Sequence, residues 1–407
     1  MSNGIIELAE SLGYSGVVDS PTGAHPETWA RLSLNNRNTP HKTIDNIAIV
    51  LETDPAYASI CFDVHASRML YNGARIDDNT ITRMRREIGV RYQINASRDM
   101  IDDCVKMVAH DNIIEPIKDY LTALVWDGVP RINTILTDAF CAEVVAGAGA
   151  LVSEMGRCWF LSAVARIMQA GCKADTCLIL VGGKGLGKST SMRYLAGDLW
   201  FSDSDIDIGG KNGYELLHQT GAWIWEIAEM HALQGRTSAT AKQFLTSASD
   251  IYRPAYARHP VQRDRRTVFV ATTNDYQFLS DGAERRFFPI NVTKHIKTEW
   301  LKENRDQIWA EVVAMYNNGD QWWLDRDMES QLARYQQSYI IDDPWALKVM
   351  ECIDNAAHHI TTQDVMKYIE LPASQQHVGN SKRIAQICRD YGFEQKSSKG
   401  RRFWVRR

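Results

Sequence analysis

The chain lacks any apolar run near the ~20 residues that a membrane-spanning helix requires. Its best candidate, Cys158 to Ala170, is broken by Arg166 and reads as a buried helix. The N-terminus lacks the basic-then-apolar pattern of a secretory signal. Cysteine is sparse and scattered: there are eight, none in a C-x-x-C pair, and Cys172 and Cys177, the closest two, have no histidine at zinc spacing. These absences argue against a disulfide framework or zinc module and make reduced thiols in a cytoplasmic protein the expectation. A strong charge of one sign is missing too. With 46 Lys and Arg against 50 Asp and Glu, the net charge of −4 does not by itself announce a nucleic-acid binder. No internal repeat or long low-complexity tract occurs. What remains is a 407-residue chain, 44% apolar and 24% charged, with enough apolar material for two or three domains.

One stretch carries the clearest chemistry. The apolar run Cys177–Val181 leads directly into Gly182, Gly183, Lys184, Gly185, Leu186, Gly187, Lys188, Ser189 and Thr190. This is the G-x-x-x-x-G-K-S phosphate loop, placed between a buried strand and a helix. Its glycines let successive backbone N–H groups curl around a phosphate chain, and the helix start aims its partial positive charge at the same anion. Lys188 adds a full charge, and the Ser189 hydroxyl is placed for Mg2+. The spacing does not give the G-x-G-x-x-G of dinucleotide folds. The expected ligand is a nucleoside triphosphate, with ATP and Mg2+ as the working pair.

Around this loop the elements alternate as in an α/β domain with a parallel sheet. Strands are predicted at Cys177–Val181, Leu199–Phe201, Trp223–Ile227, Thr267–Thr272 and Phe287–Val292. Helices are predicted at Ser153–Met168, Ser189–Ala196, Tyr214–Gln219 and Ala239–Ser247, and Leu301, Ile308, Trp309, Val312, Val313 and Tyr316 mark a long closing helix. We assign residues 120–335 to this domain, 1–119 to an N-terminal accessory domain whose first ~30 residues form a loose arm, and 345–407 to a small C-terminal domain. In the accessory part, Ile44–Glu52 and Arg98–Ala109 look helical, and Ser59–Asp63 and Met69–Tyr71 read as short strands.

The C-terminal part suggests a winged helix. Ala346, Val349, Met350 and Ile353 share one helical face, Thr361 and Asp364 form a capping box, and Ile384, Ile387, Cys388 and Tyr391 stripe a third helix that Gly392 ends. A hairpin of Phe393–Lys396 and Arg402–Arg406 follows. Residues 380–407 hold nine Lys and Arg against Asp390 and Glu394, and the third helix is expected to show Lys382, Arg383 and Arg389 to solvent, with Arg401 and Arg402 on the wing. A second basic segment holds Arg253, Arg258, Arg263, Arg265 and Arg266 against Asp264. Both segments are candidate contacts for DNA phosphates.

Downstream of the loop, three features follow in order. The strand Ala222–Ile227 ends in acids: Glu226 sits where a metal-side residue belongs, and Glu229 suits polarising water, although the two roles can be exchanged. Thr272-Thr273-Asn274 then delivers an amide that can sense the γ-phosphate. Finally Arg285 and Arg286 precede the closing strand, and one of them suits an arginine finger. A finger works across a subunit boundary, so a ring is implied.

Loop, acids, amide and arginines in this order resemble the additional-strand ATPases of the AAA+ type. More specifically, the chain resembles the virulence-associated E family, which is related to superfamily 3 helicases of phages and mobile elements. The residues carrying the likeness are Tyr120-Leu121, Trp126–Arg131, Gly171–Asp175, Phe201–Asp203, Glu226–Glu229, Tyr252–Pro254, Thr272–Asn274 and Glu284–Phe287. The likeness covers roughly residues 100–293 well and the C-terminal domain more loosely, and one departure is the pair of tryptophans flanking Ile224. The resemblance implies an ATP-driven ring, a hexamer, that binds single-stranded or forked DNA and unwinds it during replication of a mobile element. It also implies that the Arg253–Arg266 segment is a pore hairpin. No primer-synthesis motif is visible in residues 1–119, so a primase or other replication protein would be a separate partner. The competing reading is a regulatory or anti-phage NTPase that switches assembly without unwinding. A small-molecule kinase fits less well, because such enzymes seldom carry the sensor asparagine or a winged tail.

Overall fold

The computed structural model describes residues 23–208, 213–230, 238–254, 259–279, 285–340, 345–355, 360–398 and 401–406. The chain divides into two compact units: one contains the residues up to Asn274 and Arg285–Leu332, the other contains Ala333–Arg407 with 275–284.

In the first unit, residues 29–109 gather a core of their own around Ile47, Tyr57, Ile88, Tyr92 and Ile101. The helices Ile44–Thr53 and Arg98–Asp111 form where the sequence pattern places them. Each is started by a hydroxyl that accepts a backbone N–H, from Thr43 and Ser97 respectively. A small sheet of β1 (Cys61–Asp63), β2 (Arg68–Tyr71), β3 (Ala74–Arg75) and β4 (Ile113–Ile114) runs in the order β3-β2-β1-β4.

The larger sheet consists of β5 (Cys177–Val181), β6 (Phe201–Ser202), β7 (Ile224–Ile227), β10 (Val268–Thr273) and β11 (Phe287–Asn291). An antiparallel hairpin of β8 (Ser249–Tyr252) and β9 (Val261–Asp264) lies between β7 and β10 in the chain. The order is β11-β5-β10-β7-β6, and every pairing is parallel. Thus β10, late in sequence, separates β5 from β7. Covering helices Gly149–Met168, Lys188–Ala196, Gly213–Thr220, Ser238–Thr246 and Thr298–Asn317 occupy the predicted positions. The exception among the strands is Leu199–Phe201. Leu199 instead lies in a tight turn, Asp198–Trp200, with its side chain 81% exposed.

Tryptophans build much of the interior of the first unit. Trp159, Trp223 and Trp309 are fully buried, and each indole N–H donates to a backbone carbonyl: Phe269 at 2.9 Å, Ala163 at 2.9 Å and Leu195 at 2.8 Å. Large apolar rings are therefore buried without an orphaned donor. Trp223 and Trp309 touch with centroids 4.3 Å apart.

The small sheet region meets the large sheet closely. A Cβ on Gly221 would lie 2.6 Å from that of Ala66, and Gly221 has φ +65, so glycine is required there on two grounds. Beside this contact His65 is buried, and burial, reinforced by the charge of Arg266, lowers its imidazole to about 3. An unfolded histidine takes up its proton near pH 6.5, so this group's contribution is complete above that pH and is lost as pH falls toward its folded value. Thermal melts should therefore show Tm falling as pH drops from about 6.5 toward about 4, and His65→Gln should flatten that slope. An unchanged slope in the variant would assign the acid sensitivity elsewhere.

The second unit holds helices Ala346–Asp354, Thr362–Tyr368 and Val378–Asp390, then a hairpin of β12 (Phe393–Ser398) and β13 (Arg401–Arg406). The capping box between Thr361 and Asp364 is present in both directions, and Gly392 turns the chain with φ +84. Val349, Val365, Ile384, Cys388 and Trp404 form its core. Among the described residues of the whole chain, no helix is long and apolar enough to cross a membrane.

Candidate functional site

Parallel strands end together at one edge of the sheet, and there the loops after β5, β7 and β10 converge. A cavity of about 420 Å³ is lined by Lys184–Thr190, Glu226, Ala228, Glu229 and Thr272–Asn274. The loop enters it through Gly182, where an added Cβ would stand 2.4 Å from the Val292 carbonyl oxygen. Only glycine permits that approach. Gly187, at φ +88, then starts the helix Lys188–Ala196, so free N–H groups face the cavity.

Lys188 is buried, and its ammonium donates to the carbonyls of Gly182 at 2.6 Å and Gly183 at 2.8 Å, and to Asn274 Oδ1 at 3.4 Å. Burial lowers its pKa, while the charge of Glu226 acts in the opposite direction. The loop thus holds a cation on its own carbonyls, positioned to meet an anion. Glu226 is only 2% exposed. Its Oε1 accepts from Ser189 Oγ and from Thr272 Oγ1, both at 2.7 Å, and its Oε2 is buried without a hydrogen-bond partner. A buried carboxylate oxygen with no donor, beside a hydroxyl, suits a hard divalent cation such as Mg2+. Among the described residues no group of three or more His, Cys, Asp or Glu could hold a metal by itself. A magnesium ion here would draw its remaining ligands from phosphate oxygens and water, as this ion commonly does.

Glu229 behaves differently from Glu226. It is exposed, stands in the left-handed region at φ +52, ψ +16, and lines both this cavity and a neighbouring one of about 250 Å³ with Asp203, Ser204 and Asp205. A non-glycine residue held there marks a local constraint at the mouth of the site. Thr272 is the residue the sequence reading missed. Its role follows from the strand register: Val270 pairs with Glu226 across β10 and β7, so Thr272 two residues on faces the same side.

Arg285 and Arg286 are not brought into this cavity. The Arg286 carbonyl accepts from the N–H of Cys177, the first residue of β5, so both arginines lie at the opposite edge of the sheet from the phosphate loop. Five strand residues at ~3.3 Å each separate the edges by about 16 Å. Arg285 is half exposed and pairs with Glu329 at 3.5 Å.

Several arginines of the basic segments are not at the surface. Arg265 was expected on a DNA-gripping surface, but it is fully buried: Nε and Nη2 donate to the two Asp250 oxygens at 2.7 Å each. Arg266 is half-buried and bonded to Glu115 at 2.6 Å, and the Arg263 guanidinium lies over the Phe62 ring at 5.7 Å. Arg253 is exposed at the hairpin, and Arg258 lies outside the described residues. In the second unit, Lys382, Arg389 and Arg402 are exposed. Arg383 was expected to face solvent but is half-buried, its guanidinium 3.9 Å from the Trp345 ring centre. The Arg401 side chain lies outside the described residues.

Comparison with known proteins gives one family. The virulence-associated protein E-like domain matches residues 121–341. No curated protein matches. Among solved structures, two apo structures of the NrS-1 C-terminal region, both described as the A form, are similar at 13% identity and TM-score 0.46. They cover 88% of this chain and 97% and 98% of those chains. A third apo structure of the region has TM-score 0.43 at 12% identity and covers 86% of this chain and 98% of that one.

Proposed function

Because this chain belongs to the virulence-associated protein E-like family, we propose that it is an ATP-dependent DNA translocase acting in replication of a phage or mobile element. The observation that carries this reading is the convergence on Glu226. Ser189 from the phosphate loop and Thr272 from the interposed strand both donate to one buried carboxylate, with Lys188 and Asn274 in the same cavity. The strand order β11-β5-β10-β7-β6, with an extra strand between β5 and β7, supports an AAA+ core. Three helices and a basic hairpin support a winged helix at residues 345–407, and the separate core of residues 29–109 supports an accessory domain before the ATPase domain of 120–335.

In this reading the loop amides and Lys188 hold the triphosphate of ATP. Ser189 and Glu226 hold Mg2+, which supplies charge neutralisation on the phosphates. Glu229, exposed at the cavity mouth, takes the proton of the attacking water, and Asn274 orients that water or the γ-phosphate. Arg285 or Arg286 serves the site of an adjoining copy in a ring, a hexamer by resemblance. Arg253 and the exposed basic residues of the second unit contact single-stranded or forked DNA, with a separate primase as partner. Lys188→Ala should lower ATP turnover by about 10²–10³-fold, the cost of losing one preorganised donor to developing charge, and should abolish strand displacement on forked DNA. Retention of turnover in this variant would overturn the assignment.

A second reading, a regulatory NTPase that switches assembly without unwinding, is favoured by one observation. Arg265 and Arg266 are committed to internal carboxylates, which leaves fewer cations to grip a strand. Turnover that ignores added DNA, with no strand displacement, would select it.

A further inference from the structure

At the edge of the large sheet away from the phosphate loop lies another cavity, of about 370 Å³. Its walls include Asp175, Thr176, Arg285, Trp322 and Trp323. Its size falls within the range of small-molecule sites, ~300–1,000 Å³. Three features make it more than a surface dimple.

First, Trp323 is 52% exposed, whereas Trp159, Trp223, Trp225 and Trp309 of the same unit are in the core. It is held edge-to-face against Trp322, with centroids 5.1 Å apart at 84°, and Trp322 is itself anchored by its indole N–H on the Lys173 carbonyl at 2.8 Å. A flat ring is thus fixed with a face left available. Second, Thr176 is 92% or more buried and its hydroxyl has no hydrogen-bond partner. Third, Asp175 Oδ2 is also buried without a hydrogen bond, the Lys173 ammonium being 3.7 Å away. Buried polar atoms without a hydrogen bond are costly, and these two belong to adjoining residues that both line the cavity, which points to a ligand that hydrogen-bonds there.

We propose that this cavity is a nucleobase site. It takes an unpaired base bearing an exocyclic amino group, stacked on Trp323, with Asp175 accepting from the amino group and Thr176 completing the edge contact. Arg285 also lines the cavity, paired with Glu329 at 3.5 Å. A planar heterocycle with a polar edge meets the aromatic, the Thr176 hydroxyl and the Asp175 carboxylate at once, which an aliphatic or phosphate ligand does not. Such a base belongs to a nucleotide seated on an adjoining copy or to a passing DNA strand. Base binding itself does not rest on ATP turnover, whereas the choice between these two sources rests on the function proposed above.

The test uses the full chain and adenosine, which lacks phosphates and so engages the loop little. Adenosine should quench tryptophan emission. Trp323→Ala, an exposed substitution expected to leave Tm unchanged, should weaken adenosine binding about tenfold or more. Asp175→Asn should reduce the preference for oligodeoxyadenylate over oligothymidylate, since thymine has no amino group to offer. A raised KM for ATP in Trp323→Ala with unchanged oligonucleotide affinity supports the site and identifies the neighbour's nucleotide as its source. Weakened oligonucleotide binding with unchanged KM supports it and identifies the strand. The proposal is overturned if the wild-type chain binds neither adenosine nor oligodeoxyadenylate preferentially, or if both variants fold and bind them like wild type.

Discussion

Replacing Arg285 and Arg286 together by alanine should lower ATP turnover by about 10³–10⁵-fold, the range for loss of an arginine finger. The structure makes the reason geometric. These residues sit level with the start of β5, and the phosphate loop begins at its end. About 16 Å of strand lies between, more than an arginine side chain spans, so within one chain neither guanidinium reaches the cavity around Lys188. On the function proposed above, their effect passes to an adjoining copy. Mixing the double variant with Lys188→Ala protein should then restore part of the activity, because some boundaries pair an intact loop with intact arginines. A double variant that hydrolyses ATP at the wild-type rate would remove the shared site altogether. Loss of activity without recovery on mixing would instead indicate damage within each chain, and the Arg285–Glu329 contact, at 3.5 Å and half exposed, is too weak to account for it.

The largest stability effect is expected at Asp250 and Arg265, which at first look like part of a DNA-binding run. Arg265 grips both Asp250 oxygens, donates to the Phe244 carbonyl and stacks over the Phe244 ring at 4.3 Å. His218 Nε2 adds a contact to Asp250 at 3.0 Å. Arg265→Ala should destabilise the protein by about 3–5 kcal/mol, because it strands a buried carboxylate. Arg265→Lys should recover only part, since an ammonium cannot reproduce the two-pronged fork. Denaturant titration measures both. A change below about 1 kcal/mol would mean that the pair is solvated. Burial alone would raise the Asp250 carboxyl, yet the hydrogen bonds from His218 and Arg265 and the charge of Arg265 hold it below its ordinary value. A depressed carboxylate contributes above its unfolded pKa, near 3.9, and that contribution is lost as pH falls through the folded value. The pair therefore protects the fold down to mildly acidic pH and fails below about 4.

Local chemistry explains which features could be read in advance. Cys177–Val181 is an uninterrupted apolar run before a glycine loop, and a strand there follows from composition and length. The capping box at Thr361 and Asp364 and the turn at Gly392 are four- and one-residue signals, and they appear where expected. Features that depend on neighbours distant in sequence were harder. Gly149–Met168 is buried nearly all round, so no polar face marked its first turn. Leu199 has strand-like apolarity but is left in solvent by the turn after Gly197. Arg263, Arg265 and Arg266 are one basic cluster in sequence, yet each finds a different partner: a ring, a buried aspartate and Glu115.

By itself, then, the order of residues determined a phosphate loop on a strand, acids and an amide downstream, and the pattern of helices and strands around them. Each of these rests on interactions within a few positions along the chain, where backbone stiffness and side-chain type leave few choices. Only the tertiary structure decided that β10 slides between β5 and β7, that Thr272 therefore shares the Glu226 carboxylate with Ser189, and that Arg265 is an internal strut. Those outcomes depend on which long-range partner compensates the cost of removing a charge or hydroxyl from water, and that partner is set by packing in three dimensions.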